Sequence, residues 1–288
     1  MEYMTYKCNK SVAILLAAYN AEKYLSAQVD SILSQTYHDW ILYIRNDASS
    51  DNTQSIIDDY VNNYPQRIVQ VDKGGRNLGC RNNFFRLLEA VDSDYYMFCD
   101  ADDVWLPSKI EESVNAIKEM ERKNGSNVPL LAFCDTIVCR EDMSVIASSY
   151  WRSAKIDPYR YLSYNKVAVC CIAGGSCSIF NSEVKEILFP IADNNLIYDY
   201  WIALCVAKHG KLGVINKPLT YYRQHENQVC GVSVGKQGRL LYKLRNIKAL
   251  YKQYLHEAKE LREVGYGPVI KYFWYKFIVL TMKLSHIN

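Results

Sequence analysis

Short continuous apolar runs alternate along the chain with segments whose apolar residues recur every three or four positions. Ser11–Ala18 is such a run and reads as a buried strand. Asn20 follows as a candidate N-cap for a helix whose apolar face is Leu25, Val29, Ile32 and Leu33. Trp40–Arg45 reads as the next strand. Asp51 with Gln54 then marks the start of a helix with Ile56, Ile57, Tyr60 and Val61 on its buried side. Ile68–Val71 (strand), Asn83–Val91 (helix), Asp94–Cys99 (strand) and Pro107–Met120 (helix) continue the alternation. Pro107 suits a first helical turn, and Ile110, Val114 and Ile117 face inward. This order predicts an α/β fold, a mainly parallel sheet covered by helices on both faces.

The second half is less regular. Leu130–Cys139 and Val167–Cys171 read as strands and Asp199–Lys208 as a short helix. Between 240 and 255, Leu240, Leu241, Leu244, Ile247, Leu250, Tyr251, Tyr254 and Leu255 stand at helical spacing. Gly265–Pro268 breaks that helix, and an aromatic-rich segment runs on to about Leu284. Lys271, Lys276 and Lys283 interrupt it, so it falls short of the ~20 apolar residues of a membrane span. The expected division is an α/β domain over 1–235 and a basic, amphipathic helical segment over 236–288.

Charge sharpens that division. The chain of 288 residues has a formal net charge of +3, yet 236–288 holds eleven Lys/Arg against three Glu, about +8, which leaves about −5 elsewhere. Two readings of the tail stand open: docking on an anionic membrane surface, or packing on the first domain or another subunit. With 49% hydrophobic residues a substantial core is available. The ten cysteines show no CxxC pair and no Cys/His zinc spacing, and several lie in apolar runs. They read as buried thiols of a reducing compartment. With no basic stretch leading into an apolar one at the N-terminus, no secretory signal is expected, and the location inferred is cytoplasmic.

Three polar clusters fall at predicted strand ends, where open parallel sheets bind ligands: Ala18–Asn20, Asn46–Asp51 and Asp100–Asp103. In an extended segment residues i and i+2 point the same way, so Asp100 and Asp102 can converge on one hard cation. Capping of the helix at Pro107 explains the same aspartates without a metal, and on this spacing alone the two readings are balanced.

The set taken together resembles glycosyltransferase family 2 of the GT-A fold. The matching stretches are Ala17-Ala18-Tyr19-Asn20, Asn46-Asp47-Ala48-Ser49-Ser50-Asp51 and Cys99-Asp100-Ala101-Asp102-Asp103-Val104-Trp105. Tyr198-Asp199-Tyr200-Trp201 and Tyr222-Arg223-Gln224-His225 are similar to its rhamnosyltransferase-like subgroup. The resemblance covers roughly 11–232 and implies roles. Ala18, Tyr19, Asn20, Asp47, Asp100 and Arg76 would bind the nucleotide, Asp47 at the base edge and Asp100 near the ribose and the ion. Asp102, with His225, would ligate Mn²⁺ or Mg²⁺, and Arg223 and His225 would close over the pyrophosphate. Asp103, Gly174, Gly175 and Trp201 would line the donor and acceptor sugars, and Asp199 would be the catalytic base, a role compatible with capping its own helix.

Two departures stand out. Ala48 replaces the family's usual Gly, and Asn82 occupies a place often basic in relatives. The implied reaction is inverting transfer from a nucleotide-sugar donor, of dTDP-rhamnose or UDP-hexose type, to a glycan or lipid-linked glycan of surface polysaccharide synthesis. No nucleic-acid partner is expected. A sugar nucleotidyltransferase fits less well, because Ala17–Lys23 has no glycine and one basic residue. An inactive nucleotide-sugar-binding subunit would keep Asp47 without needing Asp199.

Overall fold

The computed structural model describes residues 5–9, 11–191, 196–226 and 247–284. Its main sheet has nine strands. Along one path run β4 (Ile68–Gln70), β3 (Trp40–Asn46), β2 (Val12–Ala18), β6 (Tyr95–Asp100), β10 (Ser178–Asn181), β8 (Leu130–Cys139), β11 (Lys211–Arg223) and β7 (Val104–Trp105), and β9 (Val145–Ala147) pairs with β8. β2, β3, β4 and β6 are mutually parallel, and β8 and β11 are parallel to each other. β10 runs antiparallel between β6 and β8, so those two strands share a direction. The expected parallel arrangement therefore holds for six strands, with β10, β7 and β9 reversed. A separate ribbon joins β1 (Tyr6–Lys7) to β5 (Val91–Asp92).

Period-two alternation divides the core between the two faces of the sheet. Val12, Ile14 and Leu16 of β2 join one cluster, with Leu25, Val29 and Ile32 of α1 (Leu25–Leu33), Ile57 of α2 (Thr53–Asn63) and Ile110, Val114 and Ile117 of α4 (Lys109–Asn124). Ala13 and Leu15 face the other cluster, with Phe84 and Leu88 of α3 (Cys80–Ala90) and Ile202 and Val206 of α8 (Tyr198–His209). β2 and β3 are almost wholly buried, which accounts for their unbroken apolar sequences.

Some local expectations change. Asn20 does not cap α1, which begins at Leu25; its side chain instead reaches the loop after β3. Val167–Cys171 is not a strand. A short helix α6 (Tyr164–Val167) ends there, and turn bonds from Val169 and Cys170 N–H to the Lys166 carbonyl continue its curl. The apolar run reflects burial rather than extension: Val167, Ala168 and Val169 are all in the core.

The first part of the predicted tail helix, and the 235/236 boundary, lie outside the described residues. Within them, α9 (Ile247–Glu263) and α10 (Val269–Leu284) form a hairpin around Gly265, whose φ of 81° suits glycine. The hairpin is docked on the main body. Ala258, Leu261, Tyr266, Tyr272 and Val279 enter the second core cluster, the Lys276 ammonium donates to the Val169 carbonyl at 2.8 Å, and Tyr266 packs edge-on against Tyr164. Among the described residues no helix is long and apolar enough to cross a membrane.

Candidate active site

Because β2, β3, β6, β8 and β11 run the same way, their carboxyl ends share one edge of the sheet. There the loops after β2 and β3 are stitched together. Asp47 N–H donates to the Ala18 carbonyl at 2.8 Å, Asn20 N–H to Ser49 Oγ at 2.9 Å, and Ser50 N–H to Asn20 Oδ1 at 2.9 Å. Asn20 and Ala48 both take left-handed backbone angles, φ 46° and 59°. Alanine thus adopts a left-handed turn position that glycine takes at lower cost. Between them Tyr19 is left 56% exposed, its ring free to meet a flat ligand.

Asp47 itself is 1% exposed. Its carboxylate accepts from Arg45 Nη1 at 2.7 Å and from the backbone N–H groups of Leu78 and Gly79, each at 2.8 Å. It organises the 76–79 loop beside the end of β3. Arg45, buried inside a strand, is tolerated because it also donates to Asn83 Oδ1 and to the Arg76 carbonyl, and stands 3.7 Å from Asp72. The Arg76 side chain is exposed on that loop.

The acidic cluster lies at the end of β6. Asp102 Oδ2 is 2.9 Å from His225 Nε2, so the predicted metal pair is brought together. Asp100 accepts from the Tyr198 hydroxyl at 3.1 Å, and burial together with the charges of Asp103, Asp102 and Asp199 pushes its carboxyl well up. Asp103 is 1% exposed and pushed up to about 7 by burial and the Asp102 charge. Its oxygens accept from Ser176 Oγ at 2.7 Å and Arg223 N–H at 3.4 Å, so it supports the site from beneath rather than opening on a sugar. Arg223 likewise serves as a clip. Its Nε donates to the Asp102 carbonyl at 2.9 Å, Nη1 donates to the Glu141 carbonyl at 3.0 Å, and the guanidinium lies over the Tyr24 ring.

Asp199 sits in the first turn of α8. Oδ1 accepts from Tyr200 N–H at 2.7 Å and Oδ2 from Gly175 N–H at 3.1 Å. Burial raises its pKa, and the hydrogen bonds from Tyr200 and Gly175 pull against that rise without cancelling it. Gly175 is required sterically: a Cβ there would stand 2.4 Å from the Tyr198 ring. Gly174 has no such constraint, its nearest neighbour being Cys177 Sγ at 3.8 Å. Trp201, two positions beyond Asp199, is turned some 200° around α8 and packs on the core, so it is not brought to the acidic cluster.

Sequence reasoning missed the cluster around Tyr24. Its ring lies 4.8 Å from that of His225, its hydroxyl donates to Glu141 at 2.7 Å, and Lys23 pairs with the same carboxylate. These residues come from the turn before α1, the β8–β9 turn and the segment just after β11, and no local pattern joins them. Lys109 was also missed. It is fully buried, donating to the Ser176 carbonyl and Thr220 Oγ1 beneath Asp103. A lone Lys in the first turn after Pro107 reads as solvated.

Residues 13–180 match the family described as Glycosyl transferase family 2. The chain belongs to this family. The glycosyltransferase is 30% identical over 227 residues to the Escherichia coli protein named UDP-Glc:alpha-D-GlcNAc-diphosphoundecaprenol beta-1,3-glucosyltransferase WfaP, covering 76% of this chain and 79% of that one. It is 33% identical over 105 residues to the dTDP-rhamnosyl transferase RfbG of Shigella flexneri, covering 35% of this chain and 36% of the relative. An uncharacterized glycosyltransferase of Nostoc is 26% identical, covering 74% of this chain, which spans 65% of that relative's length. Among solved structures, a mannosyltransferase from Pyrobaculum calidifontis in complex with GDP-Man and Mn²⁺ superimposes with a TM-score of 0.55 at 15% identity, over 92% of this chain and 67% of that one. Staphylococcus aureus TarS 1–349 in complex with UDP gives 0.53 at 16%, over 74% and 60%. These likenesses establish the GT-A fold.

Among the described residues of this glycosyltransferase, no group of three or more His, Cys, Asp or Glu side chains forms a complete metal cage. The donor set nonetheless fits a hard divalent cation of the kind that takes one or two protein ligands and completes its shell with phosphate oxygens. Asp102 and His225 face each other, and burial together with the crowding of neighbouring carboxylates raises the pKa of Asp100 and of Asp103, a repulsion that a cation relieves.

Proposed function

We propose that this glycosyltransferase is an inverting, metal-dependent enzyme that moves a sugar from a nucleoside-diphosphate donor to a hydroxyl of a lipid-linked glycan in surface polysaccharide synthesis. The observation that carries the reading is Asp199. It is one half-buried carboxylate, held by backbone N–H groups, beside an aspartate cluster suited to a cation. A single base serves direct displacement, in which the acceptor oxygen attacks the anomeric carbon as its proton passes to Asp199. A glycosidase needs two opposed carboxylates instead.

The remaining residues take supporting parts in this reading. Tyr19 and the Ala18–Asn20 backbone offer one wall to the nucleoside. Asp47, buried and bonded to the Leu78 and Gly79 N–H groups, shapes the other through the 76–79 loop that carries Arg76. Asp100 lies toward the ribose, and Gly174 and Gly175 leave room for the sugar. Asp102 and His225 would hold Mn²⁺ or Mg²⁺, which supplies positive charge to the departing diphosphate when bound. Arg223, with its clip to Asp102 and Glu141, holds His225 over the same place.

The relatives named for UDP-Glc and dTDP-rhamnosyl transfer support a UDP-hexose or dTDP-deoxyhexose donor, and those named for a diphosphoundecaprenol acceptor support a lipid-linked one. A lipid-linked acceptor is consistent with work at the cytoplasmic face of a membrane. Thermal melting with a panel of nucleotide sugars and Mn²⁺ tests the donor, since a true ligand at 100 times its Kd stabilises by about 2.7 kcal/mol. Release of the nucleoside diphosphate only when acceptor is added tests transfer. Donor binding without release under any acceptor would leave a binding subunit.

A further inference from the structure

The α9–α10 hairpin has two apolar sides, and only one is accounted for by packing. On α10, Tyr272 and Val279 point into the core. Ile270, Trp274 and Phe277, at i, i+4 and i+7, form a stripe on the opposite side that is 75%, 61% and 60% exposed. Packing on the core accounts for the inner stripe, and water is not a favourable neighbour for the apolar outer one.

The neighbouring helix says what does. On α9, Lys248, Lys252, Lys259 and Arg262 fall on one stripe at i, i+4, i+11 and i+14, and all four are exposed. Tyr251, at the edge of that stripe, stacks on Phe273, at the edge of the α10 stripe, with ring centroids 5.7 Å apart. A cationic band and an aromatic band thus border one exposed seam. Glu263 is the one exposed acid on the two helices among the described residues. A second copy meeting this face would bring like charges together, whereas an anionic lipid surface satisfies both bands: headgroups beside the lysines, and acyl chains beneath Trp274 and Phe277.

We propose that this seam is the surface by which the chain docks on an anionic bilayer, lying in the interface without crossing it. The proposal deepens the functional reading and rests on it for its purpose. The hairpin grips the 165–169 segment through Tyr266 and Lys276, and that segment leads within a few residues to Gly175, the partner of Asp199. Docking there sets the base at a fixed distance from the membrane that carries a lipid-linked acceptor.

The test is flotation of the full chain, without donor, on phosphatidylcholine vesicles and on vesicles containing phosphatidylglycerol. Binding is expected on the anionic vesicles, weakening as salt is raised. The Trp274→Gln/Phe277→Gln double variant should reduce partitioning on the order of 10²-fold, from the apolar area lost at two large side chains, and should melt like the wild type because both positions are exposed. Lys252→Glu/Lys259→Glu should abolish the preference for anionic lipid. Failure of the wild type to bind at low salt, or binding unmoved by the aromatic double variant, overturns the proposal. So does a dimer in sedimentation that the double variant dissociates, since the face would then belong to a second copy. Transfer to a short water-soluble acceptor should be equal in wild type and double variant. If neither shows transfer while vesicle binding holds, the catalytic reading has failed and the docking surface stands.

Discussion

The Gly175 N–H donates to Asp199 Oδ2 across 3.1 Å, tying the candidate base to the turn before β10. With Tyr200 N–H on Oδ1, one donor fixes each oxygen and the carboxylate plane is set before substrate arrives. Asp199→Asn preserves the shape and one acceptor but removes proton uptake. Turnover should fall by roughly 10²–10⁴-fold while donor affinity and melting temperature change little. Single-turnover transfer with donor titration checks it, and near-normal turnover would exclude Asp199 as the base.

The same carboxyl sets the pH response. Burial raises the Asp199 pKa, and the base must be ionised to work, so activity rises with pH through the folded-state pKa. The acid limb of the kcat profile should therefore lie above the ordinary aspartate range. The stability linkage runs the other way. The folded state holds this proton more tightly than the unfolded chain, so the contribution of Asp199 to stability declines as pH rises from the unfolded toward the folded pKa. A kcat profile with its acid limb at an unshifted aspartate pKa would contradict the burial seen here.

Gly175 and Gly174 should respond differently to the same substitution. A methyl at 175 meets the Tyr198 ring, which cannot retreat because it stacks on Phe84 with centroids 4.0 Å apart and bonds to Asp100. Gly175→Ala should cost about 1–3 kcal/mol and most activity. Gly174→Ala should be nearly neutral in both. Paired denaturant melts and transfer assays decide the matter.

Chelator should abolish transfer, and Mn²⁺ or Mg²⁺ should restore it. Asp102→Asn should lose most activity with the fold retained, and His225→Ala should weaken the apparent affinity for the ion. Full turnover in excess chelator would remove the metal from the mechanism.

Ala48 sits at φ 59°, a backbone region that costs an L-residue about 1–2 kcal/mol. Ala48→Gly should relieve much of this and raise stability by up to ~1 kcal/mol, less the extra entropy of glycine in the unfolded chain. A lowered melting temperature would mean that the alanine methyl is held by contacts worth more than the strain.

The fold was legible in residues such as Val12–Ala18 and Leu130–Cys139, where a buried strand writes an unbroken apolar run, and in the spacing of Ile110, Val114 and Ile117. Val167–Cys171 misled because a buried turn between α8 and the C-terminal hairpin has the same composition as a strand. Asp102, His225 and Asp199 were singled out through the family resemblance of their short motifs; the spacing of Asp100 and Asp102 alone left capping and metal binding balanced. Arg45, Tyr24 and Lys109 could not, since their roles come from partners such as Asn83, Glu141 and Thr220, distant in sequence. Trp201, assigned to the sugars with its neighbour Asp199, packs on the core instead, since adjacency along a helix is not adjacency in space.

The reversed strand β10 also has a consequence for how the chain is made. β6 ends at Asp100, but the strand that covers its free edge is Ser178–Asn181, and β8 waits on the same strand for its own inner edge. A ribosome delivers these pieces in order, so two apolar strands with open hydrogen-bonding edges exist before the piece that unites them. The nascent protein is most exposed to mispairing while residues 101–177 are being synthesised, and a chain that stops short of Ser178 would leave the middle of the sheet unsealed.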